Sequence, residues 1–235
     1  MLAKLYGVGV GPGKTEFLTL KAVKTLQQVD YILTPTAGEN KNSTALLVVK
    51  EIITEQQQIK LLNFKMSKSV HIQQQVRKKA AAEIYHLLSQ GKSCAFITIG
   101  DPLFYSTFNY LVELIKSRDP ELLVETIPGI TAISACTAAN NLPLAAGKEN
   151  TAILSKVKNK KQLSAVFKLF ETVVILKLSQ NFKQTYQFLS QAEFNYQLLL
   201  GSRVGLAEEF FSQNLSEIAA GEIQYLSLLI IKKIS

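Results

Sequence analysis

Apolar and polar positions along this chain switch repeatedly between two periods. Short apolar runs rich in β-branched residues, at residues 2–10, 31–33, 59–64, 93–99 and 122–127, predict strands. Between them, apolar positions three and four apart predict helices: Leu20, Val23 and Leu26 mark the first, residues 46–53 the second, 68–88 the longest, and 108–115 the fourth. Thr15 or Thr19 is placed to cap the first helix, and Gly91 to end the longest. This alternation predicts a mostly parallel sheet with helices on its faces.

The second half repeats the alternation less regularly. A helix of small residues is expected at 130–139, strands at 151–154, 173–178, 197–201 and 225–233, and helices at 162–170 and 182–191. The run at 173–178 is almost wholly apolar, which predicts an interior strand. The joint between two α/β domains is expected just after Ile127, giving domains 1–127 and 128–235. The fold class is α/β, each domain a mixed or mostly parallel sheet with flanking helices.

Composition narrows the setting. With 235 residues, 47% of them hydrophobic, the chain has enough apolar surface for packed cores. Its formal charge of +8 points to polyanionic partners: nucleic acid, an acidic membrane surface or an acidic small molecule. Cys94 and Cys136 stand far apart in apolar surroundings and are expected as buried thiols of a reducing compartment. No apolar run approaches the roughly 20 residues of a membrane helix. Gly7, Gly9 and Gly11 break up the start as a signal sequence. A cytoplasmic protein is expected.

The stretch Phe96-Ile-Thr-Ile-Gly-Asp-Pro-Leu-Phe-Tyr-Ser-Thr107 carries the clearest chemistry. It puts one carboxylate and several hydroxyls at the end of a predicted strand, where open α/β sheets hold their ligands. Asp101 is read either as a cap of the following helix or as an acceptor toward a ligand or a neighbouring loop. Gly7-Val-Gly-Val-Gly-Pro-Gly13 fails as a dinucleotide fingerprint because Pro12 sits in the turn. It also fails as a phosphate-binding loop, since Val8 stands where that pattern needs glycine. It is read as a strand and turn, or as a loop lining a pocket. His71 and His86 fall on one helix, no Cys/His cluster suggests a metal, and no nucleophile–histidine triad is supported. The lysines match no nucleic-acid module, and the cluster Lys156, Lys158, Lys160 and Lys161 around Asn159 reads as a solvated loop.

Together these segments resemble the tetrapyrrole (corrin/porphyrin) methyltransferases, and within them the branch that methylates C20 of precorrin-2 or cobalt-factor II. The resemblance rests on Leu5-Tyr-Gly-Val-Gly-Val-Gly-Pro-Gly13 with Leu18-Thr-Leu-Lys-Ala22, and on Gly100-Asp-Pro-Leu-Phe-Tyr-Ser-Thr-Phe-Asn-Tyr110. Pro128-Gly-Ile-Thr-Ala-Ile-Ser134, Asn141-Leu-Pro-Leu144 and Val174-Ile-Leu-Lys177 continue it. The Tyr-Ser-Thr piece points to the C20 branch.

That resemblance implies a two-domain class III methyltransferase fold, S-adenosylmethionine held in the cleft between domains, and a homodimer. The product would be S-adenosylhomocysteine. Carried over residue by residue, it implies cofactor contacts at Pro12, Gly100, Asp101, Leu103, Tyr105, Ser106, Thr107, Cys136, Leu178, Val204 and Gly205. Asp101 and Tyr105 are the candidates for a part in catalysis, and no metal is implied. The anionic tetrapyrrole is expected beside Gly11, Gly13, Lys14 and Lys65. Lys14 replaces an acid usual in relatives, and Lys65 interrupts their Phe-Pro-Met. Both changes add positive charge suited to a polycarboxylate. An activated sulfonium methyl needs only alignment and exclusion of water. Other readings are a tetrapyrrole methyltransferase of different regiochemistry, for example on uroporphyrinogen III, a basic member acting on RNA, or a non-catalytic paralogue. Neither nucleic acid nor membrane is expected as a partner.

Overall fold

The first five strands are β1 (Lys4–Gly9), β2 (Tyr31–Thr36), β3 (Gln58–Asn63), β4 (Cys94–Thr98) and β5 (Leu123–Ile127). They pair in the order β3-β2-β4-β1-β5, every pair parallel. The structure is a computed structural model and describes residues 3–36, 43–64, 67 and 69–234. The chain divides into two units, Met1–Thr131 and Ala132–Ser235.

Both faces of the first sheet are covered over its central strands, which is why these are apolar rather than strictly alternating. One face packs Leu5, Leu33, Leu62 and Phe96 under α3 (Val70–Ser89) and α4 (Phe108–Arg118). The other packs Val8, Ile32, Ala95 and Ile97 under α1 (Leu20–Leu26) and α2 (Thr44–Val49). Thr19, not Thr15, caps α1, accepting a bond from the Ala22 N–H at 3.1 Å. Thr15 instead opens a single 3-10 turn, Thr15–Phe17. α2 stops at Val49, short of the expected end at residue 53. The long helix ends as its glycine predicts. Gly91, at φ +79°, donates to Leu88 O and Lys92 donates to Leu87 O, so two terminal carbonyls are satisfied. Its expected first residue, Lys68, lies outside the described residues.

The second unit contains α5 (Ala132–Ala139), β6 (Thr151–Leu154), α6 (Lys160–Leu169), β7 (Thr172–Ile175), α7 (Leu178–Leu189), β8 (Tyr196–Ser202), β9 (Phe210–Ser212), α8 (Leu215–Ala220) and β10 (Ser227–Lys233). The sheet order is β6-β7-β10-β8-β9. β6 and β7 are parallel, whereas β10 runs antiparallel to both of its neighbours. The last strand therefore fills the middle of the sheet, and its residues Ser227–Ile231 are buried.

Two expectations change here, and two elements appear that were not expected. The apolar run at 173–178 is not one strand: β7 ends at Ile175 and Leu178 already begins α7. The break is made by Asn181, only 2% exposed, whose amide donates to the carbonyls of Leu176 (2.9 Å) and Lys177 (3.2 Å). Helix α7 consequently starts four residues before the expected 182. β9 and α8, both very short, carry too few residues to show a period.

Near the start of the first sheet, the carboxylate of Glu125 on β5 is paired with both Lys4 and Lys21. Hydrogen bonds from Lys21 and then Lys4 hold its pKa down at about 2, against an ordinary 4.5. A carboxylate whose folded-state pKa is depressed stabilises the fold in full above its unfolded value and loses that contribution as pH falls through the folded one. Wild type is therefore expected to exceed Glu125→Gln in urea midpoint at neutral pH. The gap should narrow below about pH 4.5 and close near pH 2. A pH series of urea melts on both proteins checks this, and a gap that persists at pH 2 contradicts it.

Candidate functional site

Three parallel strands of the first unit end side by side, and their following loops interlock through backbone alone. A Cβ placed on Gly129 would lie 2.1 Å from the carbonyl oxygen of Gly100 and 2.8 Å from the Cα of Gly9. One placed on Gly9 would meet the same carbonyl at 2.6 Å. β1, β4 and β5 thus send their chains through a junction that admits no side chain. Adjacent bonds fix it: Val10 N–H donates to Thr98 O at 3.0 Å and Gly100 N–H to Gly11 O at 2.8 Å.

Asp101 completes the junction. One carboxylate oxygen accepts from Leu103 N–H at 2.8 Å and the other from Gly129 N–H at 3.0 Å. It is therefore not the cap of α4. Ser106, one residue before the N-cap position, accepts from Phe108 N–H at 3.2 Å through its Oγ. Asp101 ties the loop after β4 to the loop after β5, with one bond to each. Thr107 occupies the N-cap position of α4 without a side-chain bond to it.

The loop that Asp101 holds has features of a ligand platform. Gly100 sits at φ +72°, and a Cβ built on it meets nothing within 4 Å, so there is open space in front of its backbone. Tyr105 adopts φ +54°, a strained conformation for an aromatic residue, and is 53% exposed. Leu103 is 61% exposed. Two apolar side chains thus stand in solvent beside an open glycine, at the strand ends where α/β sheets bind ligands. Of the glycine-rich turn, Gly11 and Pro12 are buried, Gly13 is half-buried and Lys14 is exposed. Lys65 lies outside the described residues.

In the second unit, Cys136 on α5 and Val204 after β8 close on Gly201. A Cβ there would lie 2.6 Å from the Cys136 Sγ and 2.9 Å from a Val204 methyl. Burial pushes the Cys136 thiol up to about 12, which keeps it protonated and unreactive. Gly205 follows at φ +78° and donates its N–H to Glu209 at 3.2 Å. Leu178 is buried at the start of α7. Since β7 and β8 both oppose β10, they run in the same direction, and Leu178, Val204 and Gly205 all follow strand ends on one side of the sheet. In the second unit the structure brings Cys136 and Val204 together at Gly201, while Leu178 follows a strand separated from β8 by β10. Sequence reasoning missed Gly9 and Gly129 as partners of Gly100. Their signals are the dense glycines of Gly7-Val-Gly-Val-Gly-Pro-Gly13 for Gly9 and Pro128-Gly129 closing a strand for Gly129, whereas Asn181 gives none.

A family model described as Tetrapyrrole (Corrin/Porphyrin) Methylases matches residues 4–219. A probable cobalt-precorrin-2 C(20)-methyltransferase of Methanocaldococcus jannaschii is 35% identical over 99% of this chain and 97% of its own length. The cobalt-precorrin-2 C(20)-methyltransferase of Salmonella typhimurium is 27% identical over 99% of this chain and 98% of its own. Among solved structures, a cobalt precorrin-4 methyltransferase superposes with a TM-score of 0.75 at 16% identity, covering 97% of this chain and 94% of that one. A uroporphyrin-III C-methyltransferase of Thermus thermophilus, complexed with S-adenosylhomocysteine, gives 0.68 at 21%, covering 98% and 97%. These two likenesses are of fold.

Gly129→Ala is expected to cost about 3 kcal/mol or more, since two backbones must part to admit one methyl group. Asp101→Asn is expected to cost about 1–3 kcal/mol, because an amide offers one acceptor where the junction uses two. Chemical denaturation of each variant measures both, and an unchanged midpoint for Gly129→Ala contradicts the backbone junction.

Proposed function

Because this chain belongs to the tetrapyrrole (corrin/porphyrin) methylases, we propose that it transfers the methyl group of S-adenosylmethionine to C20 of precorrin-2 or its cobalt form, in corrin biosynthesis. The observation that carries the reading is the relative named for that reaction, 35% identical from end to end. In this reading the protein is a cytoplasmic homodimer that acts on an anionic tetrapyrrole and needs neither nucleic acid nor membrane.

The residues present suit the cofactor. The open space before Gly100 lets a ligand lie against backbone, and exposed Leu103 and Tyr105 offer apolar surface to a nucleoside. When bound, S-adenosylmethionine supplies a methyl group already activated by its positive sulfur. What remains for the protein is to orient, exclude water and hold the loop still. Asp101 serves by holding: both of its oxygens are engaged by backbone N–H groups, so its role is in the shape of the cofactor loop rather than in moving a proton. Pro12, Ser106 and Thr107 join the cofactor surface in the first unit, and Cys136, Leu178, Val204 and Gly205 in the second. In this reading Lys14, exposed after the Gly-rich turn, meets the substrate with Gly11 and Gly13, and Lys65, which lies outside the described residues, belongs to the same set.

Purified protein incubated with precorrin-2 or its cobalt form and methyl-labelled S-adenosylmethionine is expected to give a product labelled at C20, located by NMR. A label on another carbon overturns the regiochemistry, and no transfer to either substrate overturns the activity. Asp101→Ala is expected to weaken S-adenosylmethionine binding roughly tenfold in a calorimetric titration, as loss of two charge-assisted bonds loosens the loop. Unchanged affinity with normal turnover contradicts that role.

A further inference from the structure

The second unit carries a charge that the site above leaves unused. Residues 150–192 contain seven lysines and one acidic residue, Glu171, so most of the chain's +8 lies there. Glu171 is itself engaged, accepting from Asn150 N–H at 2.7 Å. The segment contains no arginine.

Three of these lysines are presented by a built structure. β6 and β7 are parallel, so the loops that follow them leave the same side of the sheet. Asn181 clamps the two loops together from below. Its Oδ1 accepts from Val157 N–H at 2.8 Å, and its Nδ2 donates to Ser155 O at 3.3 Å as well as to Leu176 O and Lys177 O. Val157 is buried, and Lys156 and Lys158 on either side of it are exposed. Lys177, also exposed, is held at φ +51°, a left-handed conformation that strains any residue with a Cβ. No carboxylate among the described residues pairs with these three lysines. Lys156 and Lys158 follow the end of β6, and Lys177 follows β7 immediately before Leu178, at strand ends where α/β sheets place their ligands.

We infer that Lys156, Lys158 and Lys177 form a cationic rim that binds the carboxylates of the tetrapyrrole. The inference rests on the function proposed above and adds where the substrate's acid groups are held. Lysine suits such a ligand. Acid side chains spread around a macrocycle can be met by several adjustable point charges, because the flexible four-carbon stem of lysine lets each ammonium follow its own carboxylate. The Asn181 clamp lowers the cost of holding the charges together, because the two loops are ordered before anything binds.

The test uses uroporphyrin, which carries an acetate and a propionate on every ring, and coproporphyrin, which carries only propionates. Binding is read by porphyrin fluorescence across a salt series. Wild type should bind uroporphyrin the more tightly of the two. The triple variant Lys156→Gln/Lys158→Gln/Lys177→Gln should bind it roughly tenfold more weakly, the size of two or three exposed charge pairs, and with a shallower salt dependence. S-Adenosylmethionine affinity, read by calorimetry, should be unchanged in that variant. The control Lys168→Gln/Lys183→Gln, on the bodies of α6 and α7, should bind uroporphyrin like wild type. Equal binding by the triple variant and wild type overturns the rim. Equal weakening by the control also overturns it, in favour of a diffuse field. A wild type that binds no porphyrin counts against the tetrapyrrole reading itself, and the rim falls with it.

Discussion

The contact on which the first unit depends is made without side chains. At the ends of three parallel strands Gly9 and Gly129 pack against each other and against the carbonyl of Gly100, closer than a Cβ on either of the two would allow. Strands paired in a sheet stand about 4.8 Å apart, and their loops ordinarily diverge to make room for side chains. Here the loops converge instead, and the peptide groups so crowded must still be satisfied. Asp101 satisfies one on each side, and Gly11 O takes the N–H of Gly100. The junction thus turns three separate strand ends into one rigid edge. The strain seen at Tyr105 is tolerable because the residues around it are fixed on both sides.

The second unit reaches a similar arrangement by other means. Its sheet is mixed, with β10 running against β7 and β8, so the strand ends facing one side come from β6, β7 and β8. A single buried amide, Asn181, replaces the glycine junction and satisfies four backbone groups at once. The difference follows from spacing. Loops that must touch need glycine, whereas loops a side chain apart need a side chain with both donors and acceptors, which asparagine supplies.

Much of this is legible in the sequence, and what is not has a physical reason. Strands of the first unit can be read because both faces of a parallel sheet are covered, which makes the runs apolar and short. The Gly91 helix end can be read because only one residue type adopts that conformation freely. The pattern at 173–178 extends the strand too far because Leu176 and Leu178 are apolar on either side of a turn. The residue that breaks it, Asn181, lies further along the chain and acts through space. The place of β10 in the sheet is not legible, since a buried antiparallel centre strand and an edge hairpin have the same apolar run. In the site, Gly100 and Asp101 stand out as a motif, but their partner Gly129 is distant in sequence. The role of Asp101 depends on that partner, so a helix cap and a loop tie cannot be told apart until the strands are aligned.

The two kinds of support place different demands on the sequence. A backbone junction fixes residue identity strictly, because any added atom collides at 2.1 to 2.8 Å. A surface charge fixes it loosely, because exposed pairs contribute little each and work as a sum. The proposed reading divides along the same line: the cofactor's surface is shaped by the junction, and the substrate's acid groups are met by lysines. In the resemblance read from the sequence, Lys14 and Lys65 are the departures and Gly100-Asp-Pro-Leu-Phe-Tyr-Ser-Thr107 is the unbroken part. That is the distribution expected if one small ligand is common to a family whose tetrapyrroles differ. Substitutions that add charge change how strongly an anionic ring is drawn in, while the geometry at the strand ends is left as it was.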